Sequence, residues 1–87
     1  DLVVTGEGAI DRTTIEMGKG VGQVARLCRR RRRPCLGLAG IVKEGTAGTG
    51  AFDRIHAMAP GLTTAEQAMA KPAFWLRRLA EKAAREW

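Results

Sequence analysis

Two short apolar runs, Leu2-Val3-Val4-Thr5 and Cys35-Leu36-Gly37-Leu38-Ala39, flank an amphipathic helical stretch, and that order leaves few folds open. The first run is rich in β-branched residues and ends at Gly6-Glu7-Gly8, which predicts a buried strand over 2–5 entering a glycine loop. Residues 6–18 read as loop-like at first, because Asp11, Thr13 and Thr14 can close local side-chain turns. From about Lys19 to Arg31, Val21, Val24, Ala25 and Cys28 recur at helical spacing, with Leu27 at the margin. Pro34 ends that helix, and the second run, short and continuously apolar, suits a fully buried strand. Strand, helix, strand is a βαβ unit, and its right-handed crossover makes the two strands parallel. Thr5-Gly6-Glu7-Gly8 and Ala39-Gly40-Ile41 then open on one edge of the sheet, the edge where open α/β sheets bind ligands.

Downstream, residues 43–50 read as a surface loop and a third short strand is expected around Arg54–Met58. Pro60-Gly61 is a turn signal. Thr63/Glu66 and Thr64/Gln67 have capping-box spacing and predict a short helix. Pro72 opens a final helix to Trp87 with an apolar stripe of Leu76, Leu79, Ala80, Ala83 and Trp87. The expected class is α/β: a βαβ-containing portion of a parallel-sheet, three-layer Rossmann-like domain, incomplete as given. Residues 1–87 carry no internal repeat or boundary. An opening strand needs neighbours for its backbone groups, so the chain reads as the C-terminal part of a longer one.

Of the 87 residues 45% are hydrophobic and 28% charged, a globular rather than a disordered balance. No apolar run approaches the roughly 20 residues of a membrane span, and no signal-peptide pattern is present. Cys28 and Cys35 match neither a disulfide framework nor a zinc set. They read as small buried hydrophobes in a reducing cytoplasm. The net charge of +6 owes much to Arg29-Arg30-Arg31-Arg32-Arg33. Those cations suit a helix C-terminus; the rival reading is a basic module gripping nucleic acid with Arg26 and Arg29–Arg33, but the interleaved aromatics of single-strand binders are missing.

The stretch that can carry chemistry is Thr5-Gly6-Glu7-Gly8-Ala9-Ile10-Asp11-Arg12-Thr13-Thr14, followed by Gly18-Lys19-Gly20 at a helix start. Phosphoryl transfer needs backbone donors and a cation for phosphate oxygens, and carboxylates for Mg²⁺ or a hydroxyl proton. Glycines let backbone approach a ligand without a Cβ in the way. The dinucleotide fingerprint fails, because its third glycine is Asp11, and Gly18-Lys19 lacks the remainder of a Walker A loop. From spacing alone, Gly6 and Gly8 are equally well turn glycines, and Glu7, Asp11 and Lys19 solvated loop charges.

These residues resemble the C-terminal signature of the type I glycerate kinase family: Thr5-Gly6-Glu7-Gly8, Asp11, Thr14, Gly18-Lys19 and Val24-Ala25. Leu38-Ala39-Gly40 is similar to the family's next strand end, and Pro60-Gly61-Leu62-Thr63-Thr64-Ala65-Glu66-Gln67-Ala68 to its late turn and helix start. The chain departs from the pattern at Ala9 (usually Arg), Thr13 (commonly Gln) and Val21 (usually Pro), and by one extra residue between Thr14 and Gly18.

The resemblance implies ATP- and Mg²⁺-dependent phosphorylation of D-glycerate in a cleft between two α/β domains, with this chain as one wall. It implies Asp11 as general base or orienting partner and Lys19 as a catalytic cation. Thr5, Gly6, Gly8, Thr14, Gly18 and Gly20 would hold substrate or phosphate, and Glu7 would bind Mg²⁺ directly or through water. The expected partners are D-glycerate and the N-terminal part of the same chain, with neither nucleic acid nor membrane. A different phosphate-binding α/β enzyme that shares the loop by convergence stays open. His56, the sole histidine, has no catalytic spacing around it, and Trp75 and Trp87 read as packing residues.

Overall fold

The computed structural model describes residues 1–17, 20–43 and 50–87. Its elements are β1 (Val3–Ile10), α1 (Arg12–Met17), α2 (Val21–Arg30), β2 (Cys35–Val42), β3 (Arg54–Ala59), α3 (Ala65–Ala70) and α4 (Pro72–Glu86). The three strands form a parallel sheet in the order β1-β2-β3, as the βαβ pattern requires. Alternation along the strands divides the apolar residues between two faces. Leu36, Leu38 and Met58 pack with Ala68 of α3 and with Leu79 and Ala83 of α4. Ala39, on the other face, packs with Ile10, Ile15 of α1 and Val21 of α2. Helices therefore cover both faces, giving three layers.

β1 is longer than its β-branched run, and it is not the buried strand expected there: Leu2 and Val4 are exposed and Val3 and Thr5 half-buried, because no strand lies beside β1 on its outer edge among the described residues. Gly6, Glu7 and Ala9 do not form a loop; they pair in register with Leu38, Ala39 and Ile41 of β2, and pairing continues to Ile10 opposite Val42. The glycines permit this rather than end the strand. A Cβ on Gly6 would lie 2.8 Å from the Leu38 carbonyl oxygen, and one on Gly40 2.7 Å from that of Gly8. Only bare Cα atoms allow the two backbones to run so close. β2 likewise extends past Ala39 to Val42, and the expected loop over 6–18 contains α1.

α2 starts at Val21, with Gly20 as its N-cap, and ends at Arg30. Val21, Ala25 and Cys28 are buried and Leu27 is exposed. Beyond its end, the Arg32 N–H donates to the Arg29 carbonyl (3.2 Å) and the Arg33 N–H to that of Cys28 (2.9 Å). With Arg32 at φ 54°, this is a Schellman closure. The arginine run thus lies at a helix end, as its sequence suggests.

Thr64 caps α3, its Oγ1 accepting the Gln67 N–H at 3.1 Å. The stripe expected on α4 is corrected: Leu79 and Ala83 are buried, but Leu76, Ala80 and Trp87 are exposed. Half-buried Trp75 packs against the core instead. A helix laid across β2 and β3 near one edge of a small sheet has only a narrow seam to bury, so the outer members of the stripe stay in water.

Candidate functional site

Register brings the C-terminal ends of β1 and β2 level. Ile10 stands opposite Val42, and the Lys43 N–H donates to the Ile10 carbonyl at 2.9 Å, closing the ladder at this edge. Asp11 is the next residue and occupies the turn between β1 and α1. Its carbonyl accepts the Ile15 N–H at 3.4 Å, the first helical bond of α1, and Ile15 is buried in the core. Buried Ile10 behind Asp11 and an anchored helical turn ahead of it hold this half-buried residue at the C-terminal edge of the sheet.

Glu7 lies further back within β1, about 10 Å of strand before Ile10 at roughly 3.3 Å per residue. Its carboxylate reaches the head of α2: a Cβ built on Gly20 would sit 2.8 Å from Glu7 Oε1. Gly20 is the α2 N-cap, has φ 52° and supplies no side-chain cap. Glycine satisfies both conditions, the left-handed backbone and the space under the carboxylate. An anion at a helix N-terminus is favoured by the macrodipole and the free N–H groups there.

The remaining expected residues are dispersed. Thr5 is half-buried in β1 opposite Gly37. Gly6 is committed to the close approach to β2, whereas a Cβ on Gly8 would meet nothing within 4 Å. Thr14 falls in α1. Gly18 and Lys19 lie outside the described residues, as does most of the Gly45–Gly50 loop. The structure therefore joins Glu7 to Gly20 and places Asp11 on the same edge, one strand segment away.

Arg26 has a part that sequence reasoning missed. Its Nη2 donates to the Ile15 carbonyl at 3.3 Å and to the Glu16 carbonyl at 2.5 Å. These are carbonyls of the last turn of α1, which lack helical partners. No local pattern signals such a contact, because donor and acceptor are joined only by the packing of two helices. The Arg12–Glu16 ion pair (2.7 Å) is exposed on both sides and contributes little.

The other face of β1 opens into a groove of about 950 Å³, with Val4, Gly8, Met58, Ala68, Met69 and Leu76 among its lining residues. Glu7 also reaches its wall. Among the described residues, no three His, Cys, Asp or Glu side chains are grouped to hold a metal ion. Mg²⁺ in kinase sites commonly takes one or two carboxylates plus phosphate and water oxygens. Exposed Glu7, a hard oxygen donor above a position that excludes a Cβ, fits that limited share.

Cys28 and Cys35 are buried, as expected of small hydrophobes. Burial pushes the Cys35 thiol up to about 12, helped by a hydrogen bond with Cys28 and by the charges of Cys28 and Asp53. A thiol held neutral in this way is no nucleophile at ordinary pH. His56 stands in β3 opposite Leu38, and its buried Nε2 has no hydrogen-bond partner among the described residues. Among those residues, no helix is long and apolar enough to cross a membrane.

Comparison with curated proteins and with solved structures gave no match. Comparison with protein families matched the model described as the Glycerate kinase family over residues 1–87, the entire length given. A parallel α/β sheet with paired strand ends, carrying Thr5-Gly6-Glu7-Gly8 and Asp11 along one of them, is thus found in a chain that belongs to the glycerate kinase family.

Proposed function

We propose that this chain forms one wall of the active site of a cytoplasmic kinase that transfers the γ-phosphoryl group of ATP to a hydroxyl of D-glycerate. Family membership supports a kinase in general, with a nucleotide-type phosphoryl donor and a small-molecule substrate. The observation that carries the finer reading is the Glu7 carboxylate at the N-terminus of α2, on the same strand whose C-terminal end leads into Asp11. Asp11, at the end of β1, accepts the proton of the attacking glycerate hydroxyl or orients that hydroxyl. Glu7, at the head of α2, contributes one oxygen to Mg²⁺, which when bound neutralises charge on the phosphoryl oxygens. Gly20 and the N–H groups that follow it, together with Lys19 and Gly18, hold phosphate or the substrate carboxylate. Thr5, Thr14, Gly6 and Gly8 shape the backbone around them.

The opposite cleft wall, in this reading, comes from the N-terminal part of the same polypeptide. The outer edge of β1 has no strand beside it among the described residues, and Val4 on that strand is exposed. Both features suit a sheet that continues.

The test is Asp11→Asn in the intact protein, which keeps the shape and removes the base. Turnover at saturating ATP and glycerate should fall by about 10²–10⁴-fold while circular dichroism is unchanged. Glu7→Gln should instead raise the Mg²⁺ concentration needed for half-maximal rate and recover in part with excess metal. Retention of more than about a tenth of turnover by Asp11→Asn would show Asp11 to be only the residue that starts α1.

A further inference from the structure

The end of α2 remote from the proposed cleft breaks a local rule. The Schellman closure puts Arg32 at φ 54°, a position that glycine occupies at no steric cost and that an arginine occupies only at a penalty. Complementing the helix dipole does not account for it, because the last turn already carries Arg29 and Arg30, and Arg32 and Arg33 lie past the helix. A strained residue with no local gain points to a task elsewhere.

Beside this turn is a cavity of about 360 Å³, lined by Arg29, Arg32, Arg33, Cys35, Gly50 and Asp53 among others. It opens at the start of β2, roughly 23 Å from the Val42 end at about 3.3 Å per residue. Three arginines and one aspartate line it, and that aspartate is engaged: Asp53 Oδ2 accepts the Cys35 N–H at 2.7 Å. Arg29 spends one N–H on the Gly50 carbonyl. None of the three arginines is paired with a carboxylate among the described residues. Guanidinium forks match phosphate oxygens in shape and charge.

We propose that Arg29, Arg32 and Arg33 form a binding site, separate from the strand-end cleft, for a small molecule bearing a phosphoryl or pyrophosphoryl group. A concave site of this volume suits a small ligand. Among the described residues its lining contains no aromatic side chain, which disfavours a single-stranded nucleic acid that would stack its bases. The strained turn keeps Arg32 and Arg33 beside the cavity, where a relaxed glycine turn would offer one cation fewer.

The experiment is a calorimetric titration of inorganic pyrophosphate into the intact protein in magnesium-free buffer, compared with Arg32→Gly and Arg33→Gln. Saturable binding is expected in the parent protein, weakened on the order of tenfold or more by each substitution as a charged phosphate contact is lost. Arg32→Gly should at the same time raise the unfolding temperature, so weaker binding there cannot reflect a damaged fold. No saturable binding by the parent, or equal affinity in both variants, would overturn the proposal. Binding of a single-stranded oligonucleotide that pyrophosphate does not displace would also overturn it, in favour of a nucleic-acid contact.

Discussion

Gly6, Gly8 and Gly40 share two neighbouring strands, yet they have different duties. A methyl group on Gly6 or Gly40 would meet a backbone carbonyl oxygen at 2.8 or 2.7 Å, whereas one on Gly8 would enter open space. A carbonyl in a paired strand cannot swing aside, so the strands themselves must shift. Overpacking of this kind typically costs about 1–3 kcal/mol. Gly6→Ala and Gly40→Ala in the intact protein should each lower the unfolding free energy by about that amount in a urea titration. Gly8→Ala should leave it within roughly 0.5 kcal/mol. Equal losses at all three positions would show that the close β1–β2 approach does not govern this edge. The result also bears on the site: an unchanged stability with altered substrate kinetics in Gly8→Ala would mark Gly8 as the glycine that faces a ligand.

Among the elements, α1 is the most dependent on its neighbours. It has six residues, far fewer than an isolated helix needs in water. Two contacts hold it: Ile15 in the core and the Arg26 guanidinium on its last carbonyls. Replacing Arg26 with Met removes the second and leaves the first. The loss should be about 1 kcal/mol, below the usual range for bonds to a charged donor because the site is partly exposed. Hydrogen exchange should show it locally, with amides in 12–17 exchanging several-fold faster and those of β2 unchanged. Because α1 begins directly after Asp11, turnover should fall too, by much less than in Asp11→Asn. Uniform loss of protection across the sheet would mean that Arg26 supports the whole fold rather than α1.

For the molecule as a whole, the distribution of burial is uneven. The faces under α2, α3 and α4 are packed, but β1 presents Val4 to solvent and borders the 950 Å³ groove. Residues 1–87 expressed alone are therefore expected to be marginal, as small cores are without further support. They should bind a hydrophobic dye, exchange β1 amides quickly and show no phosphorylation of glycerate. A sharp cooperative melt together with ATP- and glycerate-dependent turnover would contradict both this expectation and the two-wall cleft.

Periodicity and breakers were enough to read the order of the elements other than α1, the parallel sheet and the arginine-rich helix end, because these follow from spacing along the chain. Thr64 as a cap and Pro72 as a helix start are equally local. What local pattern misjudged was decided by pairing and packing. Gly6-Glu7-Gly8 has the composition of a turn, but β2 supplies hydrogen-bond partners for it and needs its missing side chains, so it is strand. Leu76 and Trp87 fit the apolar stripe of α4, yet the sheet is too narrow to cover them. Glu7 could be recognised as a carboxylate in a glycine-rich segment, but its place above Gly20 exists only once β1 and α2 are packed. The types of chemical group are written in the chain, and their distances depend on which backbones can approach each other.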